Sequence, residues 1–203
     1  MTRLLRALVV GLLAGLAAAR AAPAQRSAAE VMDTLMWGRE PVGGPFALID
    51  HVGRARTDKD FRGKLMLVYF GFTYCPDVCP ADLQSIGLAL DRLGESSARV
   101  QPLFITVDPE RDTPQHLAEY LTMFHPRLIG LTGDAAAIRQ AADAYKVYYA
   151  KVMNQKGDDY TVDHTAFIYL MGDDGKYLGF FPPGTDAERM ADMIARQLAA
   201  QPR

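Results

Sequence analysis

Six consecutive apolar residues, Leu65-Met66-Leu67-Val68-Tyr69-Phe70, are bracketed by Gly63-Lys64 and Gly71. A short run with no polar face to turn to water predicts a strand covered on both sides, and such strands belong to sheets flanked by helices. The chain beyond it fits that demand. Ala81 to Leu93 carries Leu83, Ile86, Leu90 and Leu93 at helical spacing and is closed by Gly94. Val100 to Val107 reads as a second buried strand, Leu117 to Phe124 as a helix that Pro114 helps to start, and Ala135 to Tyr145 as another helix leading into a strand at Val147 to Val152. Thr165 to Met171 reads as a strand, Asp173-Asp174-Gly175 as the hairpin turn into Tyr177 to Phe181, and Thr185 with Glu188 as a capping box opening a last helix that ends near Ala200. That order predicts an α/β fold, a central mixed β-sheet flanked by helices with a βαβ start and a ββα end.

The 203 residues carry 49% hydrophobic and 23% charged residues and a net charge of −2, which suits one folded domain and offers no basic excess for a nucleic-acid partner. The amino terminus differs from the rest. Arg3 and Arg6 precede an uncharged apolar stretch, Ala7 to Ala19, and small residues follow. Residues 1–21 therefore read as a secretory signal peptide, since a membrane span needs about 20 apolar residues. The alternative is an uncleaved anchor that would associate the protein with the inner membrane, facing the periplasm. Either way the domain is expected outside the cytoplasm, in the periplasm, where thiols tend to be oxidised. Residues 22–44 read as a tether in which Val31, Met32, Leu35 and Met36 predict a short packing helix, and residues 45–203 as the functional domain.

Only two cysteines are present, in Phe70-Gly71-Phe72-Thr73-Tyr74-Cys75-Pro76-Asp77-Val78-Cys79-Pro80. This segment leaves the carboxyl end of the buried strand and enters a helix, where ligands bind in open α/β sheets and where the helix dipole favours thiolates. Positions i and i+4 of a helical turn have Cβ atoms about 5–6 Å apart, wider than the 3.5–4.5 Å or so of a relaxed disulfide. A loop this small would add only about 2 kcal/mol as a staple, so a redox-active or metal-binding pair fits better. Spacing alone does not choose between those two. Structural zinc would bring four protein ligands; two thiolates and an imidazole suit Cu(I), and Cu(II) through the nitrogen.

Of the four histidines, His116 and His125 read as solvated or capping residues on the helix, and His51 follows a short strand. His164 precedes an apolar strand and could meet the cysteine loop at the sheet rim; periodicity leaves that open. Asp108 ends the second buried strand and is either a turn residue or an acid beside the site that tunes it by contact with a ligand. Asp112, Thr113 and Pro114 read as helix-start residues, and Asp163 faces away from its neighbour His164. Tyr145, Tyr148, Tyr149 and Tyr160 read as packing residues, and the basic stretch from Arg54 to Lys64 as a solvated loop.

The segment from Gly63-Lys64 through Cys79-Pro80 closely resembles the Sco/SenC copper-chaperone family. So do Val107-Asp108-Pro109-Glu110-Arg111-Asp112-Thr113-Pro114, Gly130-Leu131-Thr132-Gly133, Tyr145-Lys146-Val147-Tyr148-Tyr149 and Val162-Asp163-His164-Thr165, in order across about residues 45–200. The resemblance implies a thioredoxin-like fold, with extra N-terminal strands and a β-hairpin insertion, and copper held by Cys75, Cys79 and His164. It also implies a function: helping to build the copper centre of a haem–copper cytochrome c oxidase, with the oxidase's copper-site subunit and other periplasmic copper carriers as partners. The alternative it leaves is a thiol–disulfide oxidoreductase that reduces that subunit's cysteines through the Cys75 and Cys79 pair. Thioredoxins use Cys-x-x-Cys and a proline before the facing strand; here the spacing is longer and Asp163-His164-Thr165 has no proline, which moves the site towards metal.

Overall fold

The computed structural model describes residues 28–37, 40–157 and 159–200. Residues 1–21, read as the export signal, lie outside them, and among the described residues no helix is long and apolar enough to cross a membrane. The elements are α1 (Ala28–Trp37), β1 (Ala47–Asp50), β2 (Ala55–Thr57), β3 (Leu65–Gly71), α2 (Val78–Leu93), β4 (Val100–Thr106), α3 (Pro114–Leu121), β5 (Ile129–Thr132), α4 (Ala135–Ala144), β6 (Tyr149–Met153), β7 (Tyr160–His164), β8 (Ile168–Met171), β9 (Tyr177–Phe181) and α5 (Ala187–Ala200).

Seven strands form one mixed sheet in the order β2-β1-β5-β4-β3-β8-β9. The apolar run is its centre: every residue of β3 is buried, with β4 parallel on one side and β8 antiparallel on the other. Helix α2 crosses between β3 and β4 and buries Cys79, Leu83, Ile86 and Leu90, a stripe at three- and four-residue spacing, beside α5. Within α1, Leu35 is buried and Met36 exposed.

The parallel register matters most for the site. Gly71 lies opposite Thr106, and the Val107 amide donates to the Gly71 carbonyl at 2.8 Å. The loops 72–77 and 107–113 therefore leave the sheet side by side at its carboxyl rim.

Three local expectations are corrected. The strand expected over Thr165–Met171 is shorter and starts only at Ile168. His164 closes β7, which pairs only with β6 in a separate two-stranded ribbon, and β8 starts at Ile168. Thr165 stays with the ribbon, its amide donating to the Tyr148 carbonyl at 2.9 Å, so residues 165–167 are the crossing between ribbon and sheet. The last helix is capped by Asp186, which accepts from the Arg189 amide at 2.8 Å, whereas the Thr185 hydroxyl turns back to the Pro182 carbonyl. Helix α2 begins at Val78, earlier than expected, because Pro80 needs no amide partner in a first turn.

Leu103, fully buried on β4, and Leu88, 47% exposed on α2, test this placement. Urea denaturation should show Leu103→Ala losing about 2–5 kcal/mol and Leu88→Ala staying within about 0.5 kcal/mol of the parent.

Candidate metal centre

Three elements converge at the rim of β3. Cys75 lies in the loop after β3, Cys79 in the first turn of α2 and His164 at the end of β7. Their ligand atoms all lie within 4.8 Å of one another, although 85 residues separate Cys79 from His164. The Cys79 Sγ is 3.4 Å from His164 Nε2, and the Cys79 amide donates to Cys75 Sγ at 3.5 Å. The cysteines are not joined by a disulfide.

The histidine is oriented by its other nitrogen. Nδ1 lies 3.1 Å from the Thr165 carbonyl, which can only accept, so Nδ1–H donates there and Nε2 is the atom turned to the sulfurs. Phe72 meets the ring edge-on, with centroids 5.8 Å apart. Asp163 takes no part in this orientation, as its alternation in the strand predicts.

The two sulfurs differ in charge. The Cys79 thiol donates to Cys75, and with His164 and the Asp77 and Cys79 amides it outweighs desolvation and holds the Cys75 thiol down to about 4. The same pairing and its own burial push Cys79 up. At neutral pH the site is one thiolate and one thiol. Beneath it, burial raises both the Tyr69 hydroxyl and the Asp82 carboxyl, and Asp82 Oδ1 accepts from the Gly184 amide at 2.9 Å.

Gly71 makes room for Cys79. A Cβ at this position would stand 2.9 Å from Cys79 Sγ and 2.8 Å from Phe104. The cysteine loop is braced from its neighbour. Asp112, completely buried, accepts from the Thr73 amide at 3.1 Å, the Thr73 hydroxyl at 2.5 Å and the Thr106 hydroxyl at 2.6 Å. Since the Thr73 hydroxyl spends its proton on Asp112, His116 Nε2–H donates to it at 2.9 Å. The His116 ring also stacks on Tyr74 with centroids 5.4 Å apart.

Asp112 was expected to be a helix-start residue and His116 a solvated or capping one; both are corrected. The cap of α3 is Thr113, whose hydroxyl accepts from the His116 amide, and this frees Asp112 for the loop. That a threonine already sits in the capping position before Pro114 is the sequence signal that Asp112 has other work. Asp108 is fully buried, and its two oxygens are taken by Arg111 Nε at 2.5 Å and the Tyr160 hydroxyl at 2.9 Å. Tyr160 is thus more than packing, whereas Tyr145 is core. His51 Nδ1 accepts from the Gly130 amide, and His125 pairs with Asp91 at 3.5 Å, both away from the sulfurs. In the basic stretch, Arg56 pairs with Asp50 and Arg62 with Asp58 within the domain.

The family model SCO1/SenC matches residues 36–199. The chain is 46% identical over 159 residues to the mitochondrial SCO2 homolog protein of Bos taurus, covering 77% of this chain and 60% of that relative. It therefore spans less than two thirds of the relative's length. Arabidopsis thaliana ScoI, solved with copper bound, superposes with a TM-score of 0.74 at 42% identity, covering 79% of this chain and 99% of that one. Bradyrhizobium japonicum ScoI, also solved with copper bound, gives 0.72 at 46% identity over 77% and 99%. The overall architecture is accordingly the thioredoxin-like one of these structures.

A thiol held down to about 4 stays ionised as pH falls until that value is passed, whereas an ordinary cysteine loses thiolate about tenfold per unit below its pKa near 8.5. Iodoacetamide should thus label Cys75 ahead of Cys79, at a rate flat from about pH 8 to about pH 6 in the folded chain and falling steeply over that range in urea. In the folded Gly71→Ala variant the preference for Cys75 should be lost, because the added Cβ drives Cys79 Sγ off the strand.

Proposed function

Because this chain belongs to the SCO1/SenC family, we propose that it is a copper-binding assembly factor that carries copper on Cys75, Cys79 and His164. Its receiving partner is the copper-site subunit of a haem–copper oxidase, and its place of work is the periplasm. The observation that carries this reading is the convergence of two sulfurs and a preoriented imidazole within 4.8 Å. Thiolate donors select soft Cu(I), and the imidazole adds a nitrogen that Cu(II) favours. A structural zinc site would want a fourth protein ligand, and the group found among the described residues has three.

The burial pattern suits release as well as capture. Cys79 is fully buried, while Cys75 and His164 are half-buried and open to an incoming ligand. A receiving thiolate can replace the outer ligands first, with Cys79 the last to let go.

A second reading is favoured by the thiolate–thiol pair itself. Cys75 is ionised at neutral pH beside a protonated neighbour, which is the arrangement of a thiol–disulfide reductant acting on the same subunit's cysteines. A low thiol pKa makes Cys75 a good leaving group but a weaker nucleophile, which ranks reduction behind copper delivery.

Titration of the reduced chain with Cu(I) and with Cu(II) should give one tight copper per chain. Cys75→Ser should abolish tight binding of both ions, and His164→Ala should weaken Cu(II) more than Cu(I). Absence of a one-to-one complex, or Cu(II) binding indifferent to His164→Ala, overturns the copper reading.

A further inference from the structure

His164 rides on a ribbon that shares no backbone ladder with the seven-stranded sheet. Beyond the short crossing 165–167 into β8, its approach to the cysteines is set by side chains, and Arg111 is where they meet. The guanidinium carbon lies 3.9 Å from the ring centroid of Tyr160, the first residue of β7, and 4.6 Å from that of Tyr74, the residue before Cys75. Arg111 Nη1 donates to the Tyr160 carbonyl at 3.0 Å and Nε to Asp108 at 2.5 Å, while the Tyr160 hydroxyl donates to the other Asp108 oxygen at 2.9 Å.

The arginine is thus a planar cation between two rings, one on the cysteine loop and one on the histidine's ribbon, fixed at its back by a fully buried carboxylate. Its side chain is only 19% exposed, so solvent screens these attractions weakly. Apart from the contacts of His164 itself with Phe72 and Cys79, other ties of the ribbon do not join these two parts. Lys151 meets Glu110 at 2.5 Å, but both are well exposed and contribute little; Arg139, 4.2 Å over Tyr149, ties β6 to α4, which bears no ligand.

We propose that Arg111 is a positioning residue of the copper site: stacked between Tyr74 and Tyr160, it sets the approach of His164 to the two sulfurs and thereby the Cu(II) state of the site. Two thiolates can hold Cu(I) with the imidazole displaced, whereas Cu(II) depends on the nitrogen. This inference rests on the copper reading above and adds a residue that touches no metal ligand itself.

Two variants test it. Tyr160→Leu removes the ribbon's ring while leaving the Arg111–Asp108 pair. Arg111→Lys keeps a cation beside Asp108 but loses the planar stack. Both should melt near the parent temperature and bind Cu(II) about 10–100-fold more weakly, with an altered thiolate-to-Cu(II) absorption band and nitrogen hyperfine pattern. Their Cu(I) affinity should stay close to the parent's. Parent-like Cu(II) spectra and affinity in the folded variants would overturn the role of Arg111 alone, as would equal losses for Cu(I) and Cu(II). A parent chain that takes up no copper, or whose Cu(II) spectrum ignores His164→Ala, would overturn both this inference and the copper reading.

Discussion

The parallel pairing of β3 with β4 is the constraint from which the site descends, because it decides which two loops are neighbours. With Gly71 opposite Thr106, the segments 72–77 and 107–113 emerge together. Each then completes the other. Asp112 reaches back to hold Thr73, and Arg111 reaches across to Tyr74. The pairing is secured by complete burial of β3, so the cysteine loop leaves from a strand covered on both faces. Gly71 adds the last condition, since only a residue without Cβ lets Cys79 Sγ and Phe104 both close onto the strand.

Parts of this were legible in the sequence because they are local. A six-residue apolar run closed by glycine fits a covered strand, a three- and four-residue apolar stripe fits a packed helix, and two cysteines one turn apart announce themselves. What lies beyond local pattern was harder. Of the ribbon, β6 falls largely within the strand expected at Val147 to Val152, but β7 is mostly exposed and lacks a clear apolar run, and the strand expected over Thr165 to Met171 begins only at Ile168. The closure of His164 onto Cys79 spans 85 residues and depends on contacts among Arg111, Tyr160 and Asp108 that no single segment contains. Periodicity could leave His164 open, and the resemblance to the Sco/SenC family pointed to it. Asp112 was misread because Asp-Thr-Pro offers two capping residues, and only the structure shows which one caps.

The charge of the site bears on how it can be filled and emptied. Two thiolates side by side in a half-buried pocket would repel and would each lose hydration; the pair avoids this by keeping one proton on Cys79. The two sulfurs together therefore carry a single negative charge. On the copper reading, a Cu(I) ion that replaces that proton leaves two thiolates and one cation, and the net charge is again one negative. Metal uptake is then an exchange of one monovalent cation for another, with a proton released, and the surroundings need not accommodate a new charge in either direction. A buried site whose charge changed on loading would hold one of its states at the cost of the other. This one is balanced between them, which suits a carrier better than a permanent metal store.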